Sequence, residues 1–351
     1  MHIFRAKETG LLLVILVIGA LLAALGGSVP QKIRDPITGQ VTGQVQVNKF
    51  LQRLNIDNVL KNSSWTAVMA VGATILILAG GIDLSIGSCY CLAAVTGGML
   101  LRWLGPSGSH AGASVAWVVP LGILITIGIG TLCGLANGLM VVLLRVHPFI
   151  ITLGTMSIFR GIAFVTTQAQ AVTDYPPVFG DLFRHTVGDF TILPLVVVAL
   201  VVIVGHIYLQ HTAAGRGAYA VGGNETASLF SGLRVSRIKL SVFTIAGLTG
   251  GIAAVITLGT FGSADSSTGR GYELDVIAAA VVGGASLTGG KGTALGALLG
   301  AIVIALIANG IVILEIDQNY SEIIKGAVIV AAVVLDRFSA ALSEKRLLGT
   351  S

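Results

Sequence analysis

Gly80-Gly81-Ile82-Asp83-Leu84-Ser85 interrupts a long apolar run with two glycines and a carboxylate. A similar interruption, Gly283-Gly284-Ala285-Ser286-Leu287-Thr288, breaks another apolar run much later in the chain. A backbone group freed from a helix inside a membrane costs several kcal/mol unless protein or a water-filled cavity surrounds it. Paired interruptions at corresponding places are typical of transport pathways. The two breaks therefore predict a membrane transporter with two discontinuous helices.

The composition excludes an ordinary soluble domain. Of 351 residues, 54% are hydrophobic and only 11% are charged, whereas charged residues make up about a quarter of a typical soluble domain. The net charge of +5 is spread over loops without a run of five basic residues, so no nucleic-acid partner is expected. We predict an all-α fold, with a single transmembrane permease domain over 1–351 embedded in lipid.

Requiring about 20 apolar residues for each crossing, with shorter runs beside the breaks, predicts about ten transmembrane helices. They cover residues 9–27, 61–79, 86–101, 117–143, 149–167, 190–209, 239–261, 274–286, 294–314 and 322–336. The third and eighth are short because they adjoin the glycine-rich breaks. The first is interpreted as a retained span, with a cleaved signal peptide as the alternative.

The distribution of lysine and arginine predicts the orientation. Basic residues in the loop 210–238 and in the tail 337–351 indicate that both segments are cytoplasmic. With about ten crossings, the N-terminus is then cytoplasmic as well. Residues 28–60 become a long periplasmic loop, although they carry Lys32, Arg34, Lys49 and Arg53, which the charge rule does not favour on that side.

Five polar residues in or beside the spans are candidates to line the pathway. Asp83 either caps the following helix or lines the pathway, and the two roles are compatible; Ser85 is the alternative cap. Arg160 either extends to the outer membrane interface or faces a polar cavity. Asn137 and Asn309 either form hydrogen bonds between helices or contact the cargo.

Residues 284–293 superficially resemble a phosphate-binding loop. The pattern requires Gly-Lys-Ser/Thr, whereas here a second glycine, Gly290, precedes Lys291 and Gly292 follows it. We therefore expect no nucleotide site, no catalytic residues and no cofactor or metal in this chain. If transport is driven by ATP, another polypeptide hydrolyses it.

The loop 210–238 contains signals for a short helix. Asn224 or Thr226 is a suitable start and Gly232 a suitable end. Lying across the membrane surface, such a helix fits a groove on a partner protein. The alternative is a simple polar connector.

Three motifs in order carry a family resemblance: residues 80–87, residues 220–227, and residues 271–279 leading into 283–292. Together they resemble the permease subunits of bacterial ABC importers for monosaccharides, the family of ribose, xylose, arabinose and galactose permeases. The resemblance covers roughly residues 55–340. Residues 28–54 form a longer first loop than the family usually carries.

The resemblance implies an assembly in the bacterial inner membrane. Two permease subunits, identical or closely related, pair around one pathway; two cytoplasmic ATP-binding subunits dock beneath, and a periplasmic sugar-binding protein delivers cargo. The segment that matches the family's coupling region comprises Gly222, Gly223, Asn224, Glu225, Ala227, Ser228 and Gly232. An ion-coupled secondary transporter is the alternative, in which a buried acid such as Asp83 would carry the ion.

Overall fold

The computed structural model describes residues 6–34, 38, 40–105, 108–109, 114–328, 330–331 and 334. Its helices are α1 (Ala6–Leu25), α2 (Arg53–Leu78), α3 (Ile86–Leu104), α4 (Val115–Leu144), α5 (Pro148–Thr167), α6 (Pro177–Arg184), α7 (Ile192–His211), α8 (Ala213–Gly223), α9 (Glu225–Phe230), α10 (Val235–Phe261), α11 (Tyr272–Val282) and α12 (Ala294–Ile313). A 3-10 turn covers Gln318–Tyr320, and residues 321–328 are helical. The predicted tail 337–351 lies outside the described residues.

The protein is a multi-pass membrane protein. Within the described residues, six helices are long and apolar enough to cross a membrane: α1, α4, α5, α7, α10 and α12. Helices also occupy the other predicted spans as far as they are described, but α11 has 11 residues and ends at Val282, whereas the prediction extended to 286. It ends there because Gly283 and Gly284 follow.

The prediction of an all-α fold is wrong in one respect. Part of the loop 28–60 forms an antiparallel hairpin of β1 (Ser28–Arg34) and β2 (Val41–Asn48). A second, very short hairpin joins β3 (Thr186–Val187) to β4 (Phe190–Thr191). Every β1–β2 backbone pair lies outside the long apolar helices, so the helical membrane architecture is unchanged.

Helix α2 lies at the centre of the bundle. From Trp65 to Leu78 nearly every side chain is buried, and the helix packs against α7, α10, α11 and α12. A helix that is buried on several faces has apolar residues on all of those faces, and the sequence of α2 is of this kind. This places the end of α2, where the first glycine break begins, inside the protein.

Helices α4 and α10 pack with their backbones in direct contact. A Cβ added at Gly130 would lie 2.6 Å from the Gly247 carbonyl oxygen, and one added at Gly251 would lie 2.8 Å from the Ile127 Cα. Gly134 faces the same seam. In a membrane, where burial of apolar surface from water does not drive association, such small-residue contacts stabilise helix pairs.

The two ends of the bundle differ. One end holds both glycine breaks, the turn between α4 and α5, and the helices α8 and α9. The opposite end holds the β1–β2 hairpin, the β3–β4 hairpin and an isolated bridge between Val172 and Ala264. The pathway candidates Asp83 and Ser85 therefore lie at the same end as the coupling residues, whereas Asn309 lies toward the other end.

Candidate functional site

The first break begins with a glycine cap at the end of α2. Gly80 has a left-handed φ of +80°, its N–H donates to the Ile77 carbonyl (2.9 Å), and the Gly81 N–H donates to the Leu76 carbonyl (3.1 Å). These two bonds define a Schellman motif, in which a glycine without Cβ takes the left-handed position and ends the helix. The break extends to α3, which begins at Ile86.

The second break repeats this motif. Gly284 has a φ of +93°, its N–H donates to the Val281 carbonyl (2.8 Å), and the Ala285 N–H donates to the Ala280 carbonyl (2.9 Å). The paired interruption predicted from the sequence is therefore present in the structure. Its register differs by one residue, because Gly80 corresponds to Gly284 and not to Gly283.

Asp83 lies in the first break with its side chain nearly buried. Its Oδ1 accepts from the Ser85 N–H (2.7 Å) and from the Ser85 hydroxyl (2.6 Å). The Ser85 Oγ in turn accepts from Nδ2 of Asn137 on α4 (2.7 Å). The carboxylate thus satisfies a free amide at the start of α3, and the chain Asp83–Ser85–Asn137 joins the break to α4.

Thr152 joins the same break to α5. Its Oγ1 accepts from the Leu84 N–H (3.2 Å) and donates to the Ile82 carbonyl (3.3 Å). Sequence analysis missed this residue, since a threonine near a helix start carries no distinguishing signal. On the other side, Oδ1 of Asn137 is buried and has no hydrogen-bond partner within the described part of the chain, which is a rare situation for a buried amide.

Arg160 is bound to backbone carbonyls. Its Nη1 donates to Ser266 (3.0 Å) and Thr268 (2.6 Å), and its Nη2 donates to Gly269 (3.4 Å). The guanidinium therefore ties α5 to the connection between α10 and α11, an interaction that neither sequence interpretation anticipated. A contact between Arg160 and cargo stays a prediction.

Asn309 forms a reciprocal amide pair away from the breaks. Its Nδ2 donates to Oδ1 of Asn55 (2.7 Å), and Nδ2 of Asn55 donates back to Oδ1 of Asn309 (3.3 Å). The pair connects α12 to α2, which matches the interhelical alternative. The structure does not bring Asn309 into the network of Asp83, Ser85 and Asn137.

The predicted short helix is present as α9. Oδ1 of Asn224 accepts from the Ala227 N–H (2.9 Å) and caps the helix start. At the other end, Gly232 has a φ of +81°, and the Leu233 N–H donates to the Ser228 carbonyl (3.1 Å). Gly232 therefore ends the helix, as predicted. Glu225 forms an ion pair with Lys239 of α10 (2.6 Å).

The coupling residues divide between a buried and an exposed set. Ser228 is buried, and Gly222 packs against both breaks, whereas Gly223, Asn224 and Ala227 are exposed. Beside α9 lies a groove of about 780 Å³ that reaches the turn at 145–148 and the start of α10. Phe230 is 85% exposed and Leu229 is 60% exposed.

Within the described residues, no three histidine, cysteine, aspartate or glutamate side chains are grouped as a metal site. The arrangement instead combines three things: buried polar groups at two helix interruptions, an exposed short helix at the same end of the bundle, and apolar membrane helices around them. These features define a membrane transport permease. The exposed helix presents the apolar side chains of Leu229 and Phe230, and the interruptions offer polar groups within the membrane region.

Comparison with known proteins assigns the family. The family described as "Branched-chain amino acid transport system / permease component" matches residues 55–333, and the chain belongs to it. The protein is a permease subunit of an ABC importer, a transport component and not an enzyme.

Curated relatives are sugar permeases. The chain is 36% identical to the ribose import permease protein RbsC of Bacillus subtilis, over 82% of this chain and 86% of the relative. It is 34% identical to the D-allose transport system permease protein AlsC of Escherichia coli, over 85% and 87%. It is 35% identical to the galactose/methyl galactoside import permease protein MglC of Escherichia coli, over 82% and 87%. No solved structure is significantly similar to the chain.

Proposed function

We propose that this permease imports a monosaccharide across the bacterial inner membrane, driven by ATP that a separate subunit hydrolyses. The observation that carries the cargo class is the 34–36% identity to ribose, allose and galactose permeases over more than four fifths of the chain. The family description names branched-chain amino acids, and a broad family name is weaker support than three individual relatives.

The proposed topology has about ten crossings with both termini in the cytoplasm. Residues 28–60 then lie in the periplasm, and the loop 210–238 and the tail 337–351 lie in the cytoplasm. Two structural features support this: the β1–β2 hairpin and α9 lie at opposite ends of the bundle, and the second break follows the short helix α11, as predicted, although α3 beside the first break has 19 residues.

The proposed partners are two cytoplasmic ATP-binding subunits, a periplasmic sugar-binding protein and a second permease subunit. The exposed apolar residues of α9 and the groove beside it support docking of an ATPase there, because Leu229 and Phe230 lack cover within the described part of the chain. Residues 284–293 form no nucleotide-binding pattern, so hydrolysis is assigned to the partner.

We place the pathway beside the first break. Asp83, Ser85 and Asn137 form one buried polar chain there, and the Oδ1 of Asn137, which no described residue pairs, can accept a hydrogen bond from a sugar hydroxyl. Arg160 and Asn309 stay candidates at other depths, each already bound to protein groups. A weakly binding pathway suffices, since a binding protein selects the cargo beforehand.

Uptake into proteoliposomes tests the proposal. The permease is purified together with its ATPase, and the binding protein is added outside with radiolabelled pentoses, hexoses or leucine. We expect concentrative uptake of one monosaccharide that requires ATP, the ATPase and the binding protein. Uptake that follows a proton or sodium gradient without ATP would instead establish the secondary transporter, and uptake of leucine alone would reassign the cargo.

A further inference from the structure

The backbone of Gly222 packs against the place where the two helix breaks meet. A Cβ added at Gly222 would collide with the Leu78 carbonyl oxygen and lie 2.8 Å from the Gly290 nitrogen. A Cβ added at Gly289 would lie 2.5 Å from the Gly222 carbonyl oxygen. Three segments that are distant in sequence, the end of α2, the end of α8 and the second break, therefore meet with no side chain between them.

The two breaks are bonded to each other at this point. The Gly290 N–H donates to the Leu78 carbonyl (2.9 Å), which is one of the carbonyls that α2 leaves free at its end. One turn before Gly222, the hydroxyl of Tyr219 donates to the Gly292 carbonyl (2.7 Å). Helix α8 thus holds the second break through a side chain and touches both breaks through its backbone.

The same helix end continues directly into α9. Only Gly223 and Asn224 separate Gly222 from Glu225, the first residue of α9. The Asn224 N–H donates to the Ala220 carbonyl (3.0 Å), while its side chain caps α9 (2.9 Å). One residue therefore completes α8 and begins α9, so a displacement of α9 reaches Gly222 without an intervening flexible segment.

This junction differs from the glycine contacts between α4 and α10. Gly130, Gly134 and Gly247 join two regular helices, and their contact is a packing seam. Gly222 instead contacts the ends of two interrupted segments, one of which leads to the polar chain of Asp83 and Ser85.

We propose that Gly222 is the positioning residue that transmits movement of α9 to both helix breaks at once. The inference rests on the proposed function, in which an ATPase moves α9. When α9 shifts, Gly222 displaces Leu78 and Gly290, so the conformations of both breaks change together. A side chain at residue 222 pushes the three backbones apart, so that ATP hydrolysis no longer drives sugar transport.

Gly222→Ala tests this, with Gly128→Ala in α4 as the matched control. Both glycines lie in helices outside the left-handed φ region, so alanine favours the helix at both positions, and a Cβ at Gly128 meets nothing within 4 Å. In the reconstituted complex, we expect Gly222→Ala to retain ATP hydrolysis while sugar uptake per ATP falls about tenfold or more, equivalent to about 1.4 kcal/mol of coupling. Gly128→Ala should match the wild type.

Amide hydrogen exchange reports on the junction itself. The Gly290 amide is protected by its bond to Leu78, so we expect exchange of the peptide covering residues 283–293 to accelerate in Gly222→Ala and not in Gly128→Ala. Wild-type uptake per ATP in Gly222→Ala would overturn the inference. So would a proportional loss of hydrolysis and uptake with the amount of assembled complex, since that result shows a purely structural role.

Tyr219→Phe supplies a milder variant that keeps the shape of the side chain. It removes the hydroxyl that donates to Gly292, and we expect uptake per ATP to fall about twofold to tenfold. Unchanged coupling in Tyr219→Phe would contradict the contribution of α8 to the second break. In all variants, ATP-driven uptake by the wild type checks the proposed function separately from the role of Gly222.

Discussion

At the scale of single residues, Asp83 shows how a structural role and a transport role can be separated. One carboxylate oxygen accepts both hydrogen bonds from Ser85. An asparagine at this position keeps that acceptor and removes only the charge, whereas an alanine removes the acceptor as well.

We expect Asp83→Asn to leave the thermal stability close to that of the wild type and to slow uptake several-fold. Asp83→Ala should lower the free energy of unfolding by about 1–3 kcal/mol, because the Ser85 amide loses its partner in a buried site. Thermal unfolding in detergent and uptake in proteoliposomes measure the two effects. Wild-type uptake in Asp83→Asn would show that Asp83 acts only as a helix cap.

Asn224 allows a similar separation in α9. Asn224→Asp keeps an oxygen for the Ala227 amide and adds a negative charge on the exposed surface, whereas Asn224→Ala removes the cap, which costs about 1 kcal/mol. We expect both to lower uptake per ATP, and only Asn224→Ala to accelerate exchange of the Ala227 amide. Ala227→Arg, at an exposed position, should uncouple as well. Full coupling in Asn224→Asp and Ala227→Arg together would place the ATPase contact elsewhere.

Only some of the residue roles in the candidate site could be predicted from the sequence. Asn224 and Gly232 are recognisable because capping depends on residue type and local order alone. Other roles depend on contacts between segments more than 50 residues apart, which no local pattern records. These are the carbonyl partners of Arg160, the pairing of Asn309 with Asn55 and the role of Thr152. The register of the second break is displaced by one residue from its prediction, because consecutive glycines at 283 and 284 are equivalent until their φ angles are known.

At the scale of elements, the β1–β2 hairpin is the largest of the elements that the sequence did not predict. Val41, Val45 and Val47 alternate with polar residues on β2, and this period of two was a usable signal. The basic residues and the Asp35-Pro36 pair of the segment instead favoured a polar loop. The two breaks were predicted correctly because a pair of glycines within an apolar run disfavours a continuous helix, whatever the tertiary contacts.

Two ion pairs hold the segment that contains the hairpin. Lys49 contacts Glu315 (2.6 Å), and Arg53 contacts Asp189 (2.6 Å). The hydrogen bond from Lys49 and its positive charge lower the pKa of Glu315 below its ordinary value. The pair therefore stabilises the protein above the ordinary glutamate pKa, and this contribution is lost as the pH falls through the lowered pKa.

We expect Lys49→Ala with Arg53→Ala to leave the membrane domain folded and to increase proteolysis within residues 28–48. Exposed ion pairs contribute little and are screened by salt, so high salt should reproduce part of the effect in the wild type. Limited proteolysis at neutral and acidic pH measures the cleavage within residues 28–48. Cleavage that is insensitive to both the substitutions and salt would show that the ion pairs do not hold the hairpin.

At the scale of the whole molecule, the proposed orientation makes a direct prediction about accessibility. Cys89, Cys91 and Cys133 are buried, so a membrane-impermeant maleimide should label the wild type weakly. We expect Gln44→Cys in the hairpin to be labelled from the periplasm, and Thr226→Cys in α9 to be labelled only after the inner membrane is opened. Labelling of both from the same side would contradict the proposed placement of the two ends.

The glycine seam between α4 and α10 limits which parts of the protein can move. Gly130, Gly134, Gly247 and Gly251 leave no side chain that could change rotamer and absorb a shift. The two spans should behave as one rigid pillar. Spin labels placed on their outer faces should keep the same separation with and without nucleotide, while labels on α9 and near residue 290 move; a changing pillar distance would refute this. Such a pillar gives the transporter a fixed frame, so that in the proposed mechanism a small displacement of α9 moves the two helix breaks relative to α4 and α10.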